Sequence, residues 1–225
     1  YMECFGRCYW DQNAQKVCFS NSSAGFEVRF EGTKLVARIS ASDSEFPQEA
    51  KGSGYAYVFV DGKKGYGNAK KIQLSSAGIS EYVLAENLPK GEHTLRVLKC
   101  TEAKYGSAYL HSLYADGVFL TPPARAERRV ELIGDSILSG SEAMRESTTA
   151  DSKMTESENS LASYGYLAAE MLDAEVSAVT RSGMLVSGYG GYATVQDYYD
   201  VYGSDQSAAW DFSSFAADVI ILDLG

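Results

Sequence analysis

The sequence predicts two fold classes in succession: an all-β sandwich or jelly roll over residues 1–122, then an α/β domain with a parallel sheet over 123–225. Three observations predict this. Short alternating strands with polar turns fill residues 24–120. Pro122 and Pro123 break that pattern. Beyond them come continuous apolar strands separated by a helical period.

In the first part, FEVRF (26–30) and KLVARIS (34–40) alternate around the turn Glu31-Gly32-Thr33. YAYVFVDG (55–62) is a strand ending in the turn signal Asp61-Gly62. EYVLAENL (81–88) and HTLRVLKC (93–100) are two strands joined through Pro89-Lys90-Gly91, and YLHSLYADGVFL (109–120) closes the series around Asp116-Gly117. Many short strands with polar turns are the mark of a sandwich or jelly roll.

TPPARAERR (121–129) excludes a helix or a central strand and marks the boundary. RVELIG (129–134), AEVSAVT (174–180) and DVIILDL (218–224) read as strands buried on both faces. NSLASYGYLAAEMLDA (159–174) reads as a helix with Leu161, Tyr164, Leu167, Ala168, Met171 and Leu172 on its apolar face. The polar stretch AMRESTTADSKMTESEN (143–159) is expected to be a disordered loop or a cleft rim. In parallel sheets of this kind ligands bind at the carboxyl ends of the strands. The segments after Ile133, Thr180 and Leu224 are therefore where chemistry is expected.

The net charge of −10 argues against nucleic acid and anionic membranes as partners. No apolar run reaches the ~20 residues of a membrane-spanning helix. The chain opens YMECFGRCYW, without a signal-peptide pattern. Cys4, Cys8, Cys18 and Cys100 have no zinc-site spacing and fit either two disulfides or buried thiols. Neither His93 nor His111 has a partner at ligand spacing, so no metal or cofactor is expected.

The first candidate segment is Gly134-Asp135-Ser136-Ile137-Leu138. Gly134 lets the chain turn off the strand, Asp135 is placed to fix that turn through backbone hydrogen bonds, and Ser136 begins the next helix as the candidate nucleophile. The second is Arg181-Ser182-Gly183-Met184, where a glycine lets its backbone N–H approach a developing oxyanion.

These segments resemble the sequence blocks of the SGNH, or GDSL, hydrolases. ERRVELIGDSILSG (127–140) looks like the first block, VTRSGM (179–184) like the second, and DVIILDLG (218–225) like the run-up to the third. The order of a β-rich half, RRVELIGDS, an acidic insert, SYGYLAAEML, SGM, a Tyr-rich loop and WDFSSFAADVIILDLG resembles carbohydrate esterase family 2 across nearly the whole chain. The resemblance implies a jelly roll joined to a flavodoxin-like SGNH domain that removes acetyl groups from xylan, glucomannan or related polysaccharide outside the cell. It implies Ser136 as nucleophile and the Ser136 and Gly183 amides as oxyanion donors. Trp210 and Asp211 match a family element whose role is read as structural. The family's third-block Asn and its catalytic His have no counterpart here, so both are expected beyond Gly225 and the chain is expected to be a fragment.

Overall fold

The computed structural model describes residues 1–45, 54–146, 154–188, 190–203 and 208–224. Two antiparallel sheets lie face to face. The first runs in the order β1 (Met2–Phe5), β4 (Gly25–Gly32), β9 (Gly91–Lys99), β6 (Tyr55–Val60), β7 (Lys70–Gln73), with β11 (Val118–Leu120) also paired to β4. The second runs β2 (Cys8–Asp11), β3 (Lys16–Phe19), β10 (Ala108–Ala115), β5 (Leu35–Ala41), β8 (Ser80–Ala85). The third sheet is parallel, with β12 (Arg128–Gly134) between β13 (Ala174–Thr180) and β14 (Val219–Asp223). Its helices are short: α1 (Ser136–Ser139), α2 (Met154–Ser157), α3 (Tyr164–Met171) and α4 (Val195–Tyr198).

The period-2 geometry of a strand explains how the layers stack. Phe26, Val28 and Phe30 of β4, Ala56 and Val58 of β6, and Leu95 and Val97 of β9 point to one face and share a core with Leu35, Ala37 and Ile39 of β5. Tyr57 and Phe59 of β6 and Leu98 of β9 point to the other face. There they share a second core with Val130 and Leu132 of β12, Val176 and Ala178 of β13, and Tyr166 and Ala169 of α3. The first sheet is therefore the middle layer, apolar on both faces. The parallel sheet rests on a β-sheet surface and does not float beside it.

Three of the turns read between consecutive strands carry the chain between sheets. β4 and β5, β8 and β9, and β10 and β11 are consecutive, yet each pair divides between the first and second sheets. Asp116 holds one of these crossings, accepting hydrogen bonds from Thr33 N–H at 2.8 Å, Lys34 N–H at 3.0 Å and the Thr33 hydroxyl at 2.5 Å. The first twenty residues, to which the sequence reading assigned no strand, form β1, β2 and β3. All four cysteines are free thiols.

The strand limits in the parallel part match the apolar runs, but β14 is not buried on both faces as expected: it is an edge strand with Val219, Ile220 and Leu222 exposed. Glu131, in the middle of β12, is buried, and it is paired at 3.1 Å with Arg7, whose side chain is fully covered. Arg7 also donates to the carbonyls of Tyr199 at 2.6 Å and Val201 at 2.9 Å. The N-terminal strands thus clamp the Tyr-rich loop onto the parallel sheet.

Of the apolar face expected from sequence, Leu161 is buried and the rest is turned outward. The helix itself is α3 alone, begun by Ser163, whose hydroxyl caps Tyr166 N–H after a separate turn at Ser160–Ala162. Gly165, Tyr166 and Ala169 are buried, whereas Tyr164, Leu167 and Leu172 are exposed and Met171 is 86% exposed. The reason is close packing at Gly165, where a Cβ would meet Leu138 Cδ2 at 2.8 Å and Leu132 Cδ2 at 3.0 Å. Only a glycine-centred face approaches that near.

Within the polar insert, residues 147–153 lie outside the described residues. Thr155 and Ser157 of α2, and Glu158 and Asn159 in the irregular stretch that follows, are buried. Among the described residues no helix is long and apolar enough to cross a membrane.

Candidate active site

β12 ends at Gly134 because the chain is crowded there: a Cβ would lie 2.5 Å from Asp223 O and 2.6 Å from Leu138 Cδ1. Asp135 caps α1 by accepting Ile137 N–H at 2.9 Å, and its own N–H donates to Asp223 O at 3.3 Å. Ser136 is then the first residue of a single helical turn. It is half-buried and lines an open depression with Ile137, Gly140, Ala143, Ser163 and Tyr164.

β13 runs parallel to β12 with Thr180 opposite Gly134, so the two strands finish level. Arg181 N–H donates to Gly134 O at 3.0 Å and Met184 N–H to Arg181 O at 2.9 Å, closing a turn over Ser182 and Gly183. Gly183 has φ +79° and a Cβ there would have room, with Tyr192 Cδ1 at 3.9 Å. Backbone conformation, not space, calls for glycine. Met184 is fully buried beside Ile133 and Val179 and pins the turn to the sheet. Among the described residues, the amides of Ser136 and Gly183 meet no acceptor.

The two segments are joined by a buried polar cluster that the sequence did not reveal. The hydroxyl of Ser139, three residues after Ser136, lies 3.4 Å from the hydroxyl of Ser182. Glu102, in the crossing between β9 and β10, is fully buried against both. Its carboxylate accepts Ser182 N–H at 2.6 Å, the Ser182 hydroxyl, and the Ser139 hydroxyl at 3.4 Å. Lys104 Nζ sits 3.4 Å from the same carboxylate. Glu102 N–H donates to Glu158 Oε1 at 2.5 Å, and Lys99 Nζ donates to Thr101 O at 2.7 Å and Glu102 O at 2.8 Å. Burial first, and nearby Glu102 second, hold the Glu158 carboxyl well above the usual carboxylate range. Burial pushes the Lys99 ammonium down to about 8. In sequence these residues look like a solvated charged loop, TEAK (101–104), and no local signal marks them as core.

Neither histidine approaches Ser136. His93, in β9, donates from Nε2 to Pro89 O at 2.8 Å and meets Asp61 Oδ2 from Nδ1 at 2.9 Å. His111, in β10, has Nε2 2.8 Å from the Ser40 hydroxyl. Trp210 is buried beside the Arg7 guanidinium, 4.7 Å from its ring, and Asp211 caps the short turn Phe212–Ser214. Gly225 lies outside the described residues. A cavity of about 200 Å³ opens at the opposite, amino-terminal edge of the parallel strands, between Phe5, Phe59, Arg96, Arg125 and Tyr166. Its Arg96 and Arg125 are already paired, with Glu27 and Glu175.

The structure therefore brings Asp135, Ser136 and the turn holding Gly183 to one edge of one sheet. Residues 4–123 match the family described as Carbohydrate esterase 2 N-terminal. The chain belongs to carbohydrate esterase family 2. Two curated proteins are similar over nearly all of it. The "Cellulase/esterase CelE" of Acetivibrio thermocellus is 30% identical over 220 residues, covering 96% of this chain and 25% of that protein. The "Acetylxylan esterase / glucomannan deacetylase" of Cellvibrio japonicus is 31% identical over 233 residues, covering 100% of this chain and 60% of that protein. Family 2 esterase structures share the fold. One from Clostridium thermocellum in complex with cellohexaose has a TM-score of 0.85 at 26% identity, covering 100% of this chain and 66% of that one. One from Cellvibrio japonicus has a TM-score of 0.85 at 24% identity, covering 100% of this chain and 64% of that one. The chain thus spans a quarter to two thirds of the family 2 relatives it matches.

Proposed function

We propose that this chain belongs to a secreted serine esterase that removes O-acetyl groups from plant cell-wall polysaccharide such as xylan or glucomannan. On this reading residues 1–122 are a jelly-roll domain and 123–225 are part of an SGNH hydrolase domain. The observation that carries it is the placement of Ser136: half-buried at a strand-to-helix junction, at the same end of the parallel sheet as the turn of Gly183, with both amides unengaged among the described residues. That the relatives are carbohydrate esterases supports the substrate class.

The chemistry is a two-step acyl transfer. The Ser136 hydroxyl attacks the acetyl carbonyl while a base takes its proton. The negative charge that develops on the carbonyl oxygen is held by the two amides. The sugar hydroxyl leaves with a proton, and water then attacks the acetyl-serine and releases acetate. A serine hydroxyl needs such a base near neutral pH. His93 and His111 both sit in the antiparallel sheets, and neither lies on the parallel sheet that carries Ser136.

The test is acetate release from acetylated xylan or glucomannan by the complete protein. Ser136→Ala is expected to remove turnover while the thermal midpoint and circular dichroism stay as in the parent. Turnover kept by Ser136→Ala contradicts the assignment.

A further inference from the structure

We propose that Glu102 is a positioning residue for the oxyanion pocket, set in the antiparallel part of the molecule and acting on the parallel part. The inference rests on Ser136 and Gly183 having the roles given above. A carboxylate at the centre of a buried cluster is ordinarily read as a satisfied core charge. Two features point further. First, its bonds go to the two segments whose separation decides whether an oxyanion is held. Ser182 N–H and the Ser182 hydroxyl belong to the turn of Gly183, and the Ser139 hydroxyl belongs to the helical turn begun by Ser136. The single Ser139 hydroxyl proton is shared between the Glu102 carboxylate and Ser136 O, the latter at 3.1 Å, so a shift at Ser139 reaches the backbone of Ser136 directly.

Second, Glu102 is itself held from behind. Its N–H is engaged by Glu158, its carbonyl by Lys99, and its carboxylate by Lys104. Lys99 and Glu102 are both fully buried. A charged acceptor fixed on three sides holds both the amide and the hydroxyl of Ser182, the residue whose φ and ψ set the direction of the next amide, that of Gly183. Oxyanion donors act through preorganisation, and a misplacement of about 1 Å costs about a hundredfold in rate. Glu102 touches neither substrate nor the reacting atoms; it acts through Ser182 and Ser139.

The experiment uses the complete protein with 4-nitrophenyl acetate, and counts active sites by titration with a fluorophosphonate. Glu102→Gln keeps the volume and one acceptor oxygen but loses the charge. It is expected to lower kcat per titrated site by roughly tenfold to a hundredfold, with KM within about twofold of the parent. Affinity for a boronic acid that forms a tetrahedral anion on serine is expected to fall in parallel with kcat. A role confined to stability would lower the thermal midpoint and the number of titrated sites but leave kcat per site unchanged. Ser182→Ala removes only the hydroxyl contact and serves where Glu102→Gln does not fold; a several-fold fall in kcat per site at constant KM is expected. Unchanged kcat per site and unchanged boronate affinity in the variants that fold overturn the proposal. A Ser136→Ala control that is inert while Glu102→Gln is fully active sinks the positioning role alone. A Ser136→Ala control that still turns over sinks the reading beneath it.

Discussion

The antiparallel and parallel parts of the molecule are stabilised differently. In the first, two sheets close over a core in which Phe26, Val28, Phe30, Leu35, Ile39 and Leu95 are fully covered. In the second, β12 is buried between its neighbours, but β14 shows Val219, Ile220 and Leu222 to solvent and α3 shows Leu167 and Met171. The difference teaches where each part's rigidity comes from. The sandwich is rigid through its own packing. The parallel part, which carries Ser136, borrows rigidity from it through Tyr57, Phe59 and Leu98, through Arg7 on Glu131, and through Glu102 on Ser182.

Paired substitutions sharpen that contrast. Phe26→Ala empties a fully buried site that packs edge-on against Phe19 at 5.7 Å, and is expected to cost about 3–5 kcal/mol of unfolding free energy. In the 225-residue chain, Leu222→Ser, at a site 63% exposed, is expected to stay within about 0.5 kcal/mol. Denaturant melts of both variants check the pair, and equal costs would break the distinction between the two regions.

Gly165→Ala addresses the seam between α3 and β12. The added methyl meets Leu138 and Leu132 inside contact distance, so a loss of about 1–3 kcal/mol is expected from overpacking. Because Leu138 follows Ser136 in the same helical turn, the site should feel the change as well. A neutral or stabilising effect in the same melts would show that α3 shifts freely.

The smallest effect belongs to the sandwich. The carbonyl of Pro89 first, and Asp61 second among the favourable partners, raise the His93 imidazole above its ordinary value of 6.5. A raised folded value means that its contribution to stability is complete below 6.5 and fades as pH climbs through the folded value. The gap in thermal midpoint between the parent and His93→Gln is therefore expected to be wider at about pH 5.5 than at about pH 8.5. A gap that widens as pH rises would reverse the sign.

What the sequence made legible follows from range. β12, β13 and β14 match their apolar runs within a residue or so because continuous hydrophobicity is a local property. The turn at Gly134-Asp135-Ser136 was legible for the same reason, as was the glycine at 183. Which strands pair was not: the turns at Gly32, Pro89 and Asp116 are visible, but whether a turn folds back or crosses depends on distant partners. The four-residue strands β1, β2 and β3 are too short to show alternation. The buried face of α3 is set by the fit of Gly165 against Leu138 and Leu132, which an apolar count along the helix points away from. Glu102 and Ser182 are 80 residues apart, and charged residues in a loop carry the signal of a solvated surface until the fold brings Ser139, Ser182 and Glu158 around them.

Mapping a covalent serine probe tests the central claim most directly. The complete protein is treated with a fluorophosphonate, digested, and the modified peptide located by mass spectrometry. The account predicts one modified residue, Ser136, and loss of labelling after Ser136→Ala. Labelling at another serine, or none in protein that releases acetate, contradicts it.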